Sequence, residues 1–152
     1  MSSIPATPKL VPVFSIKLQL QGAPQTLFTD STKKTVSNMA IVSTGQISTI
    51  KNDLGYELDV ENAAGYDSIT AHVEKGYSEL DAHIHGTTKD GDDVNLAYYG
   101  LFHSSPGLDA VLSGKATSHS FEESYLSNTP KIRVQGPCSR EVAVGGKGKP
   151  HW

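Results

Sequence analysis

The densest group of titratable side chains in the sequence lies in the segment Asp81-Ala-His-Ile-His85. Alternate residues of a β-strand share a face, so Asp81, His83 and His85 would form a row with about 6.5 to 7 Å between successive members. In such a row Asp81 could fix the tautomer of His83 for acid–base catalysis, or the two histidines could bind a metal ion. Of these two uses, acid–base chemistry has more support than metal binding, because a His-x-His pair without a third ligand is a weak metal signal. The plainer alternative is a solvated polar face, which is the common reason for polar alternation.

The hairpin that follows this strand decides which residues join the row. A two-residue loop at Asp90-Gly91 would mix polar and apolar side chains on one face. A Lys89-Asp90-Gly91 loop, built as a type I turn with Gly91 in the left-handed region, shifts the pairing by one residue. It sets Ile84 opposite Leu96 and Ala82 opposite Tyr98 on the apolar face. This second register sorts the two faces, and we predict it. Its polar face contains Asp81, His83, His85, Asn95 and Tyr99.

A second segment has the composition of a cavity wall. In an extended conformation, residues 119–125 would present an aromatic face with polar tips, formed by His119, Phe121, Glu123 and Tyr125. Ordinary core packing would also explain Phe121 and Tyr125. The sequence contains no Gly-x-Ser-x-Gly, His-Glu-x-x-His or paired-cysteine motif, so the common hydrolase and zinc-protease classes have no support.

Apolar residues recur mainly with period two, and no helical stripe extends over ten or more residues. We therefore predict an all-β fold, an antiparallel barrel of about nine strands with helix limited to a turn near 106–112. The chain reads as one domain, 1–152, with flexible ends at 1–9 and 146–152. The predicted strands are 14–20, 38–50, 54–60, 69–73, 78–88, 93–102, 117–126, 131–135 and 139–145.

Composition limits the classes of partner and cofactor. The 152 residues include 13 Lys and Arg against 16 Asp and Glu, without a basic block, so nucleic acid is not expected as a partner. No apolar run approaches the roughly 20 residues of a membrane helix, and the first residues lack a secretory signal, which predicts a cytoplasmic protein without a membrane partner. The single cysteine, Cys138, makes neither an intrachain disulfide nor a zinc site. We find no motif for a metal, flavin or nicotinamide and predict that no cofactor is used.

Several short motifs, taken in order, resemble one family. They are Pro8-Lys-Leu-Val-Pro-Val-Phe14, Glu79-Leu-Asp-Ala-His83, Lys89-Asp-Gly91, Tyr98-Tyr-Gly100, Thr129-Pro130 and Arg140-Glu-Val-Ala-Val-Gly145. Each is weak alone, but their order from about Pro8 to Gly148 is similar to that of the domain of unknown function 3237 family. The resemblance implies a small lipocalin-like, calycin-type β-barrel that holds a ligand in its lumen or mouth. It also implies that the polar face around Asp81 lines that cavity.

Fungal members of this family include a cyclase of phenalenone polyketide biosynthesis, which performs an intramolecular hydroalkoxylation. The resemblance therefore implies a cofactor-independent cyclase that adds a phenol to a prenyl-type alkene and forms a dihydrofuran ring on an aromatic polyketide. In that interpretation Asp81 and His83 transfer protons. The substrate-binding residues would be His85, Asn95, Tyr99, Tyr125 and Arg140.

Other functions are compatible with the same residues. One is a barrel that binds or carries a hydrophobic small molecule without catalysis, and another is a different proton-transfer enzyme such as an isomerase or a dehydratase. The sequence leaves open whether the chain forms a homo-oligomer.

Overall fold

The computed structural model describes residues 9–136, and these form one antiparallel sheet of seven strands with one α-helix. The all-β prediction is confirmed. Two short 3₁₀ helices lie at Val73–Lys75 and Phe121–Glu123. None of the helices in this part of the chain is long and apolar enough to cross a membrane. The strands are β1 (Phe14–Leu20), β2 (Gln25–Asp30), β3 (Thr35–Thr49), β4 (Ala64–His72), β5 (Tyr77–Thr87), β6 (Asp93–His103) and β7 (Leu126–Gln135), and the helix is α1 (Pro106–Leu112).

The sheet curls into a half-barrel. Its strand order is β1-β3-β4-β5-β6-β7, and β2 pairs with the first part of β3 beside β1. Although β1 and β7 stand at opposite ends of this order, Phe14 of β1 and Ile132 of β7 pack against the same buried cluster. Among residues 9–136 no hydrogen-bonded ladder joins β1 to β7. The predicted closed barrel of nine strands is therefore not observed.

Buried apolar side chains form two clusters on the concave side of the sheet. The larger cluster contains Val42, Ile47, Leu58, Val60, Ala63, Ile84, Val94 and Leu96. The smaller one contains Ala40, Ile69, Leu80 and Phe102, and α1 packs Leu108 and Leu112 against it. The helix thus covers part of the concave side.

Local sequence signals set the ends of α1, so the predicted turn at 106–112 is confirmed. Ser105 is the N-cap, and its Oγ accepts a hydrogen bond from the backbone N–H of Leu108 at 3.2 Å. Pro106 occupies the first helical position, where its missing N–H costs nothing. Gly114 follows the helix in the left-handed region, as at many helix ends.

Two predicted strands are wrong. Residues 54–60 form a loop in which only Val60 makes strand bridges, to Ile47 and Thr88. The side chain of Asn52 accepts hydrogen bonds from the N–H groups of Leu54 and Tyr56, so these groups need no neighbouring strand. In the other segment, 117–126, Ser120 caps the 3₁₀ turn Phe121–Glu123. Strand β7 begins at Leu126, the last residue of the segment.

The remaining differences concern β2 and the chain ends. β2 was not predicted, because nearly all its side chains are exposed and no apolar alternation marks it. Its pairing with β3 uses backbone hydrogen bonds across a β-bulge between Thr26 and Phe28. The predicted strand 139–145 and the flexible end 146–152 lie outside the described residues, as does the first end except for Lys9.

The β5–β6 hairpin has the predicted register. Ile84 pairs with Leu96, and Thr87 pairs with Asp93 at the end of the ladder. The loop is closed by a hydrogen bond from the Gly91 N–H to the Thr88 carbonyl at 3.0 Å. Gly91 has a φ of 86°, in the left-handed region.

Replacing Gly91 with valine is expected to lower the free energy of unfolding by about 1 kcal/mol or more. A Cβ at this position would meet no atom within 4 Å, so the expected cost comes from the backbone conformation alone. Urea denaturation of the variant would measure it. Lys89→Val in the same exposed loop is the matched control, and equal losses in both variants would contradict the explanation.

Candidate functional site

The row of polar residues predicted from the sequence exists, but it lies on the outer face of the sheet. Asp81 pairs with Tyr99 and His83 with Ala97, as expected. Their neighbours along the strand, Ala82 and Ile84, are buried in the core. The side chains of Asp81 and His83 are 60 % and 41 % exposed, respectively. The expectation that this face lines the cavity is therefore wrong, because the sheet curls toward the apolar face and leaves the polar face in solvent.

The outer residues form local pairs. Asp81 Oδ1 lies 3.1 Å from His83 Nε2, and the ring of Tyr66 lies 5.4 Å from that of His83. Asn95 Nδ2 is 3.3 Å from Nδ1 of the exposed His85. A hydrogen bond with Glu79 raises the pKa of the exposed Tyr99. Exposed ion pairs of this kind contribute little to stability, and a catalytic role for Asp81 and His83 stays a prediction.

The other two predicted substrate-binding residues do not join this row. Tyr125 is exposed, and its ring lies 5.5 Å from the ring of His103, at the opposite end of β6 from Asn95. Arg140 lies outside the described residues. The structure thus brings together Asp81, His83, His85, Asn95 and Tyr99 on the outer face of the sheet.

The concave side of the sheet contains a cavity of about 250 Å³. Strands β1 and β3 to β7 all contribute to its wall, and α1 covers part of it. Leu20 and Leu126 lie at its rim, each 40 % exposed, whereas Ile69 and Leu80 lie deeper and are buried. The lining is apolar except for Asp67 and Tyr98. The twelve lining residues are Leu18, Leu20, Ala40, Val42, Asp67, Ile69, Leu80, Tyr98, Phe102, Leu108, Leu112 and Leu126.

A larger but less promising depression lies on the outside of the molecule. It has a volume of about 460 Å³ and is formed mainly by exposed polar residues of β1 and β3, such as Lys17 and Gln46. No buried titratable side chain lines it. Because catalysis and tight binding of small molecules favour enclosed apolar sites with a few polar groups, the concave cavity is the better candidate.

Asp67 and Tyr98 form a hydrogen-bonded pair in the wall of the concave cavity. The Tyr98 hydroxyl donates to Asp67 Oδ2 at 3.0 Å. In the strand register Asp67 faces Ala40 on one side and Ala82 on the other. Ala82 in turn faces Tyr98, so the small alanine side chain leaves room for the tyrosine to reach Asp67. Asp67 is only 7 % exposed. Its Oδ1 is buried and has no hydrogen-bond partner among the described residues.

Burial raises the pKa of both side chains. It raises the pKa of Asp67, an effect that the hydrogen bond from Tyr98 partly opposes. Burial also raises the pKa of Tyr98, and the adjacent carboxylate adds to that shift. A carboxyl group with a raised pKa holds its proton closer to neutral pH and can act as a general acid, and such shifts cluster at functional sites. The pair can therefore donate a proton to a ligand in an otherwise apolar cavity.

The raised pKa of Asp67 predicts how stability depends on pH. Between the ordinary carboxyl pKa near 3.9 and the raised folded value, the folded chain binds more protons than the unfolded chain. The free energy of unfolding contributed by this group should thus fall as pH rises through that interval, by at most about 1.4 kcal/mol per pH unit.

Urea denaturation of the wild type and Asp67→Asn, from about pH 4 to about pH 8, would measure this contribution as the difference between the two profiles. The difference also removes the effect of other groups, such as Glu79, whose pKa is lowered by its hydrogen bond to His72. Parallel profiles for the two proteins would contradict the expectation.

The sequence did contain a signal for Asp67. Asp67, Ile69 and Ala71 are alternate residues of β4 and point to the same face of the sheet. The carboxyl of Asp67 therefore lies on the apolar face. The strand predicted from apolar alternation begins at residue 69 and therefore leaves Asp67 out. Tyr98 was correctly placed on the apolar face opposite Ala82.

Metal binding has little support from the geometry. Within residues 9–136, no three His, Cys, Asp or Glu side chains are arranged so that they could hold a metal ion. The absence of cofactors in the reaction stays a prediction.

Comparison with known proteins gives one relationship. No curated protein and no solved structure shows a significant match to the chain. The model of the family described as proteins of unknown function, DUF3237, matches residues 8–145, which is most of the chain. The family resemblance noted in the sequence is thus confirmed, and the chain belongs to the DUF3237 family.

Proposed function

We propose that this protein is a cofactor-independent cyclase that binds its substrate in the concave cavity. It would add a phenol hydroxyl across a pendant alkene of an aromatic, polyketide-type molecule of fungal secondary metabolism and form a dihydrofuran ring. The observation that carries the proposal is the buried carboxyl of Asp67, which has a raised pKa and lines an apolar cavity. This site replaces the outer-face pair of Asp81 and His83 in the mechanism.

The reaction needs only the movement of protons. The Asp67 carboxyl donates its proton to the terminal carbon of the alkene, which leaves a tertiary cation-like centre. The phenol oxygen then forms a bond to the tertiary cationic carbon, and the phenol proton passes to the Asp67 carboxylate. All substrate atoms remain in the product, and the enzyme returns to its starting protonation state.

Tyr98 acts as a positioning residue in this scheme. Its hydroxyl donates to Asp67 Oδ2 and fixes the orientation of the carboxyl. The raised pKa of Tyr98 keeps its own hydroxyl protonated, so Tyr98 remains a hydrogen-bond donor throughout the cycle. The hydrogen bond also stabilises the carboxylate that forms after proton donation.

The cavity favours a compact, uncharged reacting group. Its volume of about 250 Å³ lies just below the usual range for small-molecule pockets, about 300 to 1,000 Å³. One aromatic ring with a short alkene side chain would fit, and further rings would extend over Leu20 and Leu126 at the rim. The apolar side chains of Ile69, Leu80 and Phe102 would keep water from the cationic centre.

Binding without catalysis is the second candidate. The apolar lining with a single polar pair also suits a carrier, in which Asp67 would bind a hydroxyl group of the ligand. The same cavity would then supply affinity alone.

The test uses ortho-methallylphenol, a small phenol whose protonated alkene is tertiary and whose ring closure gives a dimethyl-dihydrobenzofuran. Chromatography would detect the product, and thermal unfolding would detect binding, with about 2.7 kcal/mol of stabilisation at one hundred times Kd. Product with stabilisation supports the cyclase. Stabilisation without product supports the carrier. If the phenol gave neither product nor stabilisation, the assignment of the cavity to such a ligand would be overturned.

A further inference from the structure

A second polar cluster lies beside α1 and is not used by the proposed function. It contains Ser105, His119, Glu123 and Ser124. Ser124 Oγ is 2.5 Å from His119 Nε2, and Ser105 Oγ is 3.1 Å from Ser124 Oγ. On the other side of the ring, His119 Nδ1 is 3.4 Å from Glu123 Oε2. A serine, a histidine and a carboxylate thus follow one another in space.

The hydrogen bonds of this cluster can run in one direction, from Ser105 through Ser124 to His119. Ser105 Oγ accepts from the Leu108 N–H, so the Ser105 hydroxyl proton is available to Ser124 Oγ. In the tautomer with the ring proton on Nδ1, His119 Nε2 can accept a hydrogen bond from the Ser124 hydroxyl. In that tautomer Nδ1 directs its proton toward the Glu123 carboxylate, 3.4 Å away. This is the arrangement in which a histidine can take the proton of a serine.

Local sequence brings these side chains together. Ser120 Oγ accepts from the Glu122 N–H and caps the 3₁₀ turn, which folds Glu123 and Ser124 back toward His119. Gly107 in α1 allows the close approach, since a Cβ there would lie 2.5 Å from His119 Nδ1. The His119 side chain is 10 % exposed, Glu123 is exposed and Ser124 is half-buried, so the cluster lies at the surface of the molecule.

We propose that Ser124 is an activated nucleophile that accepts acyl groups from small carboxylic esters. Ser124 Oγ forms a bond to the ester carbonyl carbon while its proton passes to His119 Nε2. The bond to the leaving alcohol breaks, and His119 gives the proton to that alcohol. Water then hydrolyses the acyl-serine by the same proton transfers, so the net reaction is ester hydrolysis. Glu123 is a positioning residue that holds the imidazole tautomer.

A fluorophosphonate probe tests the proposal, because it labels activated serines covalently. We expect labelling of the folded full-length chain, with the modified peptide containing Ser124, and release of p-nitrophenol from p-nitrophenyl acetate. His119→Gln should slow labelling by about 100-fold, since it removes the general base. Glu123→Gln should slow it less because Glu123 is exposed. Ser127→Ala, at an exposed serine of β7, is the matched control and should label at the wild-type rate.

Several results would overturn the proposal. They are labelling of the folded chain no faster than that of the urea-unfolded chain, labelling at another serine, and an unchanged rate in His119→Gln. The first two measurements need only the wild-type protein, so they hold even if a variant fails to fold. A cluster that only anchors α1 would affect thermal unfolding without producing labelled Ser124.

Discussion

Replacing Leu96 with alanine is expected to lower the free energy of unfolding by about 3 kcal/mol. Leu96 is fully buried, and it stands between Ile84 of β5 and Ile132 of β7. Removing its branched side chain leaves a void that the surrounding strands cannot fill, because each neighbour is held by its own ladder. Chemical denaturation at constant pH would measure the loss.

Leu101→Ala provides the matched control on the same strand. Leu101 lies on the outer face of β6, where it is 36 % exposed, and its loss should cost less than about 1 kcal/mol. Similar losses for the two variants would mean that the concave cluster does not hold the fold together.

Replacing Asp67 with asparagine is expected to lower the rate of ring closure by at least about 100-fold. The amide cannot protonate an alkene, whereas its oxygen can still accept the hydrogen bond from Tyr98. Substrate affinity should change little, because the apolar lining is untouched. Single-turnover product formation from ortho-methallylphenol and the ligand-induced shift in thermal unfolding would measure the two effects separately.

His83→Gln distinguishes the concave site from the outer face. It breaks the pair with Asp81, which lies in solvent, and we expect turnover to persist. If His83→Gln abolished turnover and Asp67→Asn preserved it, the chemistry would belong to the outer face. Loss of ligand stabilisation in Asp67→Asn would favour the carrier function, in which the carboxyl supplies affinity.

The hairpin register shows what local sequence can determine. A glycine free to adopt positive φ at position 91 and the need to pair Ile84 with Leu96 leave one arrangement that sorts polar from apolar side chains. Both constraints act between residues close in the chain. The same holds for α1, where Ser105 and Pro106 mark the beginning.

Segments whose backbone is held by side-chain hydrogen bonds, or by the edge of another strand, could not be read in the same way. The segment 54–60 alternates like a strand, but the side chains of Asn52 and Thr49 accept hydrogen bonds from three of its N–H groups. These are the N–H groups of Leu54, Tyr56 and Leu58. β2 exists because the long β3 offers it a backbone edge, and its own side chains carry little information about that pairing. The apolar periodicity of a sequence shows which side chains are buried. In both segments the backbone conformation also depends on hydrogen bonds that this periodicity does not reveal.

The sequence by itself determined which residues share a face, since that follows from the period of a strand. Asp81, His83, His85, Asn95 and Tyr99 lie together as expected, as do Ala82, Ile84, Leu96 and Tyr98 on the other side. Only the tertiary structure decided which face is concave, because the direction of curling depends on packing β1, β7 and α1 over the apolar side. The same packing buries Asp67 beside Tyr98, and removing that carboxyl from water gives it the raised pKa on which the proposed chemistry depends.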